Sequence, residues 1–540
     1  MLNFHTLINI TQFPGKKPAL FGGRRMKFII FMTEKNRRNF FAILLICILI
    51  ASLGGAYLNR YARSGREYER QPGAELLEIS KDLSIYDIDV IFDPENARLI
   101  CKQNVKLVNR DDIEFNSIYF HLYPNAFKEE KRLPFLSDEK DAAYPNGFSP
   151  GWIDLKSVSI GDSPVDYQIG GYNNNILAVM LDKPLKPGGS TDIAMEYSVI
   201  IPNSIGRFGY GENTFNIANW YPVSCVYDHS GWNTDPYYAI GDPFYSDVSN
   251  YFVNIKVPSG YVIASTGDIA EIKDEGEYRI WEIEALAVRD FVWIASERFE
   301  IGSRQVDQTT VYSYFFPESR ESGLRALDYA AYALQIFNSC FGMYPYRQFS
   351  VVQSDFFVGG MEYPNLVMID KNLYDKEQLF WLEYVTVHET AHQWWYGIVG
   401  NDQIDEPWLD EALTEYSTVL YYGHRYGQDK ENEIYNIITG EGTQSSLEKY
   451  ILDEQEINTA VDQPIYKFSD WILYDLIVYR KGAGIFREMH RITGDEVFYE
   501  ILRKYFENNK FSNAAHTDLQ KACEEVTGKS WDAFFQRQLE

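Results

Sequence analysis

The chain has 540 residues, which is enough for two to four domains and a substantial core. It carries a net charge of −27, and 45% of its residues are hydrophobic, 24% charged and 16% aromatic. This composition is typical of a folded protein with aromatic-rich sheets, and its acidity excludes nucleic acid as a partner because phosphate contacts need a basic surface.

The N-terminal segment differs from the rest of the chain. Phe40 to Leu58 runs for 19 residues without a charge, and basic residues dominate the sequence before it. A helix of that length spans about 28 Å, close to the thickness of the hydrocarbon core of a bilayer. Because basic flanks stay in the cytoplasm, we predict a single-pass protein of the cell membrane whose remaining chain lies outside. The predicted parts are a basic cytoplasmic segment at 1–39, a transmembrane helix at 40–59 and a linker at 60–74.

A cleaved signal peptide is the alternative interpretation of the same segment. Ala51, Gly54 and Ala56 supply small residues near a plausible cleavage site, and cleavage would give a secreted protein. Met26 or Met32 could be the true start of the chain.

The pattern after Tyr86 predicts an α+β multidomain fold. Short runs such as IYDIDVIFD and YFVNIKVPSGYVIASTG alternate apolar and polar residues between turn signals, which is typical of a large antiparallel β domain. Helical patterns begin near Glu318 and continue to the C-terminus, with one strand-like stretch, FSVVQSDF. We predict a β domain at 75–305 and a mostly α-helical domain at 306–540.

Five cysteines are present, and Cys47 lies in the apolar segment. The other four are too scattered for a disulfide framework or a CxxC site, so we expect no metal ligand among them. A single disulfide remains possible.

The pentad from His388 to His392, HETAH, predicts a metal site. Two histidines four positions apart on a helix differ by only about 40° around its axis, so both imidazoles can face one ion. Glu389 lies beside them on nearly the same face. Apolar residues at helical spacing indicate a buried helix, and we expect Gly397 and Gly400 to end it. An ordinary helix with two histidines is the simpler interpretation of the pentad alone.

Glu411 supplies a third ligand type, 18 residues after His392. It lies one turn into a second predicted helix, whose apolar stripe includes Leu413 and Leu420. Two histidines, one carboxylate and one open position for water are the arrangement of a catalytic zinc site. The sequence therefore predicts a zinc hydrolase with one Zn²⁺ per chain. Glu415, one turn further on, either orients a ligand histidine or is an ordinary solvated glutamate.

Two further segments could complete the chemistry. Gly359-Gly360-Met361-Glu362 follows the predicted strand, and the glycines allow another backbone to approach closely. Glu362 could hold the ammonium of a peptide N-terminus while the strand edge pairs with its main chain. Tyr479 could donate a hydrogen bond to the oxyanion of a tetrahedral intermediate. Taken singly, Glu362 would more often belong to a turn, and Tyr479 would more often pack in the core.

Together, HExxH-x18-E, the G-x-M-E loop and the Y-x-K-G-A segment resemble the aminopeptidase N-type zinc metallopeptidases, which are gluzincins. The resemblance extends from Tyr86 to the C-terminus. It implies a saddle-shaped β domain followed by a thermolysin-like catalytic domain. It also implies the roles of the matching residues: His388, His392 and Glu411 as zinc ligands, Glu389 as general base, Glu362 as anchor of the substrate α-amine, and Tyr479 as oxyanion stabiliser.

The chain departs from the family pattern in two ways. Tyr363 follows Glu362 where the family usually has Asn. The family usually takes a second amine-binding Gln or Glu from its β domain, whereas only Asn216 and Asn219 lie near NIANWYP. The long C-terminal helical domain of larger members is expected to be absent, which would leave the site more open.

These residues predict zinc-dependent hydrolysis of peptides that carry a free N-terminus. A gluzincin-type zinc endopeptidase would share the metal site but prefer internal bonds, and a non-catalytic surface binding protein would bind zinc without hydrolysis.

Overall fold

The structure is a computed structural model that describes residues 73–161, 163–438 and 458–539. The chain divides into Met1–Arg70 and Gln71–Glu540, and every described residue belongs to the second unit. The apolar segment Phe40–Leu58 lies outside the described residues. Within the described ranges, every helix is either too short or too polar to cross a bilayer.

Among the described residues, twenty strands lie before residue 320 and five more lie among the helices that follow. They are β1 Ile85–Asp93, β2 Arg98–Val108, β3 Phe115–His121, β4 Trp152–Ile160, β5 Ser163–Pro164, β6 Tyr167–Gly170, β7 Ile176–Leu185, β8 Ser190–Ile200, β9 Phe208–Tyr210, β10 Phe215–Ile217, β11 Val223–Ser224, β12 Tyr227–Asp228, β13 Gly231–Trp232, β14 Ser249–Pro258, β15 Val262–Ser265, β16 Asp268–Asp274, β17 Tyr278–Val288, β18 Trp293–Ser296, β19 Glu300–Val306, β20 Thr309–Phe315, β21 Gln348–Ser354, β22 Gly360–Met361, β23 Leu366–Asp370, β24 Val399–Gly400 and β25 Ser512–Asn513.

The largest sheet has eight strands in the order β16-β17-β14-β1-β2-β8-β4-β5. Alternate residues of β1, including Tyr86, Ile88, Val90 and Phe92, are buried, as its alternating sequence predicts. Neighbouring strands of this sheet are antiparallel, with one exception. Strands β1 and β14 run parallel, and their pairing begins at Ile85 and Asn250. A parallel pair needs a long connection, and here the connection contains all strands of the four-stranded sheet β11-β3-β7-β6 and two strands, β9 and β10, of the sheet β15-β18-β10-β9.

A second, five-stranded sheet has the order β19-β20-β21-β23-β22. Its central pairings, β20 with β21 and β21 with β23, are parallel, and every residue of β21 is buried. The edge strand β22 has β23 as its partner in this sheet. The predicted stretch FSVVQSDF corresponds to β21, and β19 begins at Glu300, so this sheet starts just before the predicted boundary at 305.

Helices dominate after residue 320. They are α3 Arg320–Cys340, α4 Leu379–Ala391, α5 Trp408–Tyr426, α6 Gln428–Ile438, α7 Trp471–Tyr474, α8 Gly482–Thr493, α9 Asp495–Asn509, α10 His516–Thr527 and α11 Asp532–Leu539; the short helices α1 Ala74–Ile79 and α2 Lys140–Ala143 come earlier. The fold is therefore α+β, with a large β-sheet domain and a helical domain, as predicted. Helix α3 packs on β19 and β20, and α4 packs between α3 and α5.

The four described cysteines, Cys101, Cys225, Cys340 and Cys523, are buried free thiols, so no disulfide joins them. The core is rich in aromatic residues, and Tyr86 stacks on Tyr251 with ring centroids 4.8 Å apart.

Candidate metal and substrate site

Helix α4 carries the first histidine of the pentad, and the second lies just past its end. The helix ends at Ala391, earlier than the glycines at 397 and 400 had predicted. His392 still has helical dihedral angles (φ −60°, ψ −16°), so the two imidazoles keep the same face. The chain then turns, with Gly397 N–H bonded to the carbonyl of His392 at 2.8 Å, and Tyr396 at φ 120° cannot continue a helix.

Three ligand atoms from α4 and α5 form a small triangle. His388 Nε2 and His392 Nε2 are 3.2 Å apart, and they lie 3.3 Å and 3.2 Å from Glu411 Oε2. Bonds of about 2.0–2.1 Å to a tetrahedral ion place ligand atoms about 3.3 Å from one another. The triangle therefore has the size that a zinc ion requires, and these three buried residues could hold it.

The remaining nitrogen of each imidazole is held by a hydrogen bond. His388 Nδ1 donates to Glu415 Oε2 at 3.1 Å, and His392 Nδ1 donates to the carbonyl of Trp395 at 2.9 Å. Both bonds leave the Nε2 lone pair directed at the centre of the triangle. Glu415 is buried and also accepts a hydrogen bond from Tyr384, so it is not a solvated glutamate.

Tyr479 reaches the same triangle from another element. It lies in a π-helical segment, Asp475–Lys481, and its hydroxyl donates to Glu411 Oε1 at 2.6 Å. Burial, and then the charge of Glu411, raise the pKa of Tyr479 well above its usual value, so the hydroxyl keeps its proton. Gly482 allows this approach, because a Cβ there would lie 2.6 Å from the Cβ of Ala412 on α5.

Glu389 lies between the triangle and the strand β22. A side chain at Gly360 would collide with the Glu389 carboxylate, so the glycine makes room for that group. Carboxylate oxygens of Glu389 and Glu362 lie within 4.8 Å of each other and of a His392 ring nitrogen. Glu362 is 3% exposed, and its Oε1 accepts from Gln403 Nε2 at 3.2 Å. The structure thus brings all of the predicted polar site residues around one cavity of about 250 Å³, and Gly359 and Gly360 line its wall.

Residues 325–538 match the family model described as Peptidase family M1 domain. The resemblance to the aminopeptidase N-type zinc metallopeptidases is confirmed. "Aminopeptidase M1" of Arabidopsis thaliana is 25% identical over 371 residues, which cover 62% of this chain and 40% of that relative. "Aminopeptidase N" of Lactococcus lactis is 28% identical over 237 residues, covering 40% of this chain and 26% of the relative. The chain thus spans less than half the length of these curated relatives.

The fold is also similar to that of a solved protein. The crystal structure of the M1 zinc metallopeptidase from Deinococcus radiodurans superposes with a TM-score of 0.57, over 85% of this chain and 94% of that one. The two sequences are 15% identical. The β-sheet domain and the helical domain therefore follow the arrangement of an M1 peptidase.

The two asparagines near NIANWYP form hydrogen bonds outside this cavity. Asn216 donates to the carbonyls of Gly206 and Asp355 at 3.0 and 2.8 Å. Asn219 donates to Asp290 at 3.0 Å and accepts from the hydroxyl of Tyr363 at 3.2 Å. Tyr363, the departure from the family loop, is fully buried and joins that loop to the β-sheet domain.

Asp242 is a cavity residue that sequence reasoning missed. It comes from a segment without regular structure before β14, is 7% exposed, and pairs with Arg207. Both side chains line the cavity with Glu362. Among the described residues that line this cavity, Arg207 is the only lysine or arginine. No motif marks Asp242, because its position depends on tertiary structure.

The cavity concentrates buried negative charge. Burial raises the pKa of Glu362 and of Asp242 to about 7 and that of Glu389 to about 8, and the repulsion between neighbouring carboxylates adds to the effect. Burial alone would raise the pKa of Glu411 as well, but His392 and His388 lower it below its usual value. Bound cations would stabilise the ionised carboxylates, so the cavity is suited to a metal ion and an ammonium group together.

Proposed function

We propose that this protein is a zinc-dependent aminopeptidase that removes N-terminal residues from peptides. One observation carries the proposal: the His388–His392–Glu411 triangle has edges of 3.2–3.3 Å and shares its cavity with the carboxylates of Glu389 and Glu362. The triangle supplies a metal site, Glu389 a base and Glu362 a partner for an amine.

The three ligand residues fit zinc by donor type and spacing. The ion, when bound, lowers the pKa of water to about 7 and polarises the scissile carbonyl. Glu415 and the Trp395 carbonyl keep the histidines in the tautomer that binds metal through Nε2.

Glu389 and Tyr479 would carry out the proton transfer and stabilise the charge. Glu389 takes the proton of the attacking water and later delivers it to the leaving amine. A pKa raised by burial suits a group that must both accept and return a proton. Tyr479 transfers its hydrogen bond from Glu411 to the substrate oxyanion as negative charge develops there.

Recognition of the free N-terminus is assigned to Glu362 and Asp242. Both are buried in the cavity wall, and the edge strand Gly360–Met361 offers main-chain groups to an extended peptide. A mutant of the Deinococcus peptidase was solved with a bound Tyr-Ser-Ala substrate, which supports a short peptide as the ligand class here.

The first test compares Glu389→Gln with the parent protein on aminoacyl amides. We expect turnover to fall by at least about 10³-fold while zinc content stays at one ion per chain, because the base is lost and the ligands are kept. Activity should vanish with a chelator and return with added zinc. A Glu389→Gln variant that hydrolyses at the parent rate would contradict the mechanism.

The second test separates the two peptidase classes. Matched peptides with free and N-acetylated termini are offered to the enzyme, and we expect only the free peptide to be cleaved. A zinc endopeptidase would cleave both, and a non-catalytic zinc-binding surface protein would cleave neither.

We also propose the finer architecture that the resemblance implies, with a saddle-shaped β domain over about 75–305 and a thermolysin-like catalytic domain over about 306–540. The eight-stranded sheet and the five-stranded sheet with its helices support this division. Limited proteolysis with mass mapping of the fragments would test the boundary.

Finally, we propose that Phe40–Leu58 anchors the protein in the cell membrane with the catalytic part outside the cytoplasm. The charge-free run and its basic N-terminal flank support this assignment. Carbonate extraction and protease accessibility in intact cells would test it. Release of an N-terminally shortened protein into the medium would instead indicate a cleaved signal peptide.

A further inference from the structure

Gln393, the residue directly after the metal ligand His392, has a fully engaged side chain. It is 1% exposed, and its amide bonds to the segment that follows the G-x-M-E loop. Nε2 donates to the carbonyls of Glu362 at 3.4 Å and Tyr363 at 3.1 Å, and Oε1 accepts from Asn365 N–H at 2.8 Å and the Tyr344 hydroxyl at 3.3 Å. Two donor bonds and two acceptor bonds satisfy the amide completely.

These bonds connect two parts of the site that are distant in sequence. The main chain of Gln393 continues from a metal ligand, and its side chain holds the backbone of the proposed amine anchor, Glu362. Loop 362–365 is tightly turned, with Asn365 at φ 62° and Leu366 N–H bonded to the Tyr363 carbonyl at 3.0 Å. The hydrogen bonds from Gln393 to this turn therefore help to fix where the Glu362 side chain begins.

Tyr363, a residue of the same loop, bonds to the β-sheet domain through its side chain. Its hydroxyl donates to Asn219, which in turn donates to the buried carboxylate of Asp290. Burial raises the pKa of Asp290 to about 6, and the Tyr221 hydroxyl also donates to it, at 2.8 Å. Buried hydrogen bonds thus join the loop both to Gln393, just past the end of α4, and to the β-sheet domain.

We propose that Gln393 is a positioning residue that sets the distance between the metal and the amine-binding carboxylate of Glu362. The inference rests on the proposed function, because it needs Glu362 to bind an amine. A ligand that binds both the metal and Glu362 depends on this distance, whereas a ligand that binds the metal alone does not. If the Gln393 amide only stabilised the fold, its loss would lower the affinity for both ligands equally.

The experiment uses two inhibitors that differ in one group. An aminoacyl hydroxamate carries a free α-amine, and its desamino analogue has the same side chain and the same metal-binding hydroxamate. For Gln393→Met we expect affinity for the amine-bearing compound to fall at least about tenfold, within the range found for residues that orient site groups. The desamino compound should bind within about twofold of the parent value, and zinc content should be unchanged.

A matched control is available in the β-sheet domain. Gln103 is 2% exposed, and its amide donates to the Pro222 carbonyl at 2.9 Å and accepts from Tyr197 at 2.8 Å. Gln103→Met removes comparable buried bonds far from the loop in sequence and should leave the ratio of the two affinities unchanged. Should Gln393→Met fail to fold, Gln393→Glu carries the test, since it keeps the size and the acceptor for Asn365.

Glu362→Ala completes the design as a double-mutant cycle. If Gln393 acts through Glu362, the double variant binds the amine-bearing inhibitor no more weakly than Glu362→Ala alone. Equal losses for the two inhibitors, or losses that add in the double variant, would overturn the proposal. If Glu362→Ala itself leaves the ratio unchanged, the amine anchor of the proposed function is wrong, and the positioning role of Gln393 fails with it.

Discussion

The metal half of the site and its amine half are built in different ways. The metal ligands His388, His392 and Glu411 lie on two successive helices, or directly after the first of them, within one short stretch of chain. The amine half combines Glu362, which directly follows the edge strand β22, with Asp242, which precedes it by 120 positions and belongs to the β-sheet domain. The packing of α4 against α5 within one domain assembles the first half, whereas the second exists only after two domains have packed together.

The two halves also differ in how their charges are balanced. In the metal half each imidazole has its own acceptor, Glu415 or the Trp395 carbonyl, and both histidines face one carboxylate. In the amine half, Glu362 shares its hydrogen-bond partner, because the Gln403 amide that donates to it also donates to Asp410. Asp242 is balanced by the positive charge of Arg207. Loss of one metal-half group should therefore be severe, and loss of one amine-half group should be partial.

His392→Ala tests the severe case and should have the largest effect. Removing one of three ligands should abolish stoichiometric zinc binding and reduce kcat/KM by at least about 10³-fold, since the metal contributes several kcal/mol to the transition state. Metal analysis and activity are measured on the same preparation. His121→Ala is the control, because His121 is a buried histidine of the β-sheet domain that should not affect zinc. Full zinc occupancy in His392→Ala would refute the triangle as the metal site.

Tyr479→Phe should have the next largest effect. It removes one hydroxyl that donates to Glu411 in the resting site and is proposed to donate to the oxyanion during the reaction. We expect kcat to fall about 10²–10³-fold with KM nearly unchanged, as for the loss of one oxyanion donor. Steady-state kinetics at saturating zinc separate the two parameters. A large rise in KM at constant kcat would mean that the hydroxyl binds substrate instead.

The comparison also shows what sequence can and cannot predict. The spacing of apolar residues predicts the helices that carry His388 and Glu411. The alternation of apolar and polar residues predicts the strands of the large β-sheet domain. The end of α4 lies earlier than predicted, because a local hydrogen bond from His392 Nδ1 to the Trp395 carbonyl and the positive φ of Tyr396 turn the chain before Gly397. Asn216 and Asn219 lie close to the NIANWYP motif in sequence, yet their amides donate to Asp355 and Asp290 and not into the cavity. Only packing shows that Asp242 faces Glu362.

Glu415→Gln should have an intermediate effect, confined to the metal half. It keeps an oxygen near His388 Nδ1 but removes the negative charge, so zinc affinity should fall about 10–100-fold. Activity at saturating zinc should change much less. Glu383→Gln is a matched control on α4, because Glu383 is also buried and accepts from two tyrosines, Tyr421 at 2.8 Å and Tyr426 at 2.7 Å. Equal zinc affinities for Glu415→Gln and the parent would show that the carboxylate does not orient the ligand.

Asp242→Asn should have the smallest effect, and it tests most directly whether the amine half differs from the metal half. With Glu362 and Asp242 ionised, the ammonium of a substrate meets two negative charges and one positive charge from Arg207; the substitution leaves one of each. We expect KM for free-amine substrates to rise about tenfold, or about 1.4 kcal/mol, with kcat within about twofold. Zinc affinity should be unchanged.

The control for this substitution is Asp355→Asn. Asp355 is fully buried and forms an ion pair with Lys371 at 2.7 Å, but it does not line the cavity, so KM should stay at the parent value. An unchanged KM in Asp242→Asn would mean that Arg207 already neutralises Asp242 and that Glu362 alone recognises the amine. In that case the amine half would depend on a single carboxylate, and Glu362→Ala should then be nearly as damaging as the loss of a metal ligand.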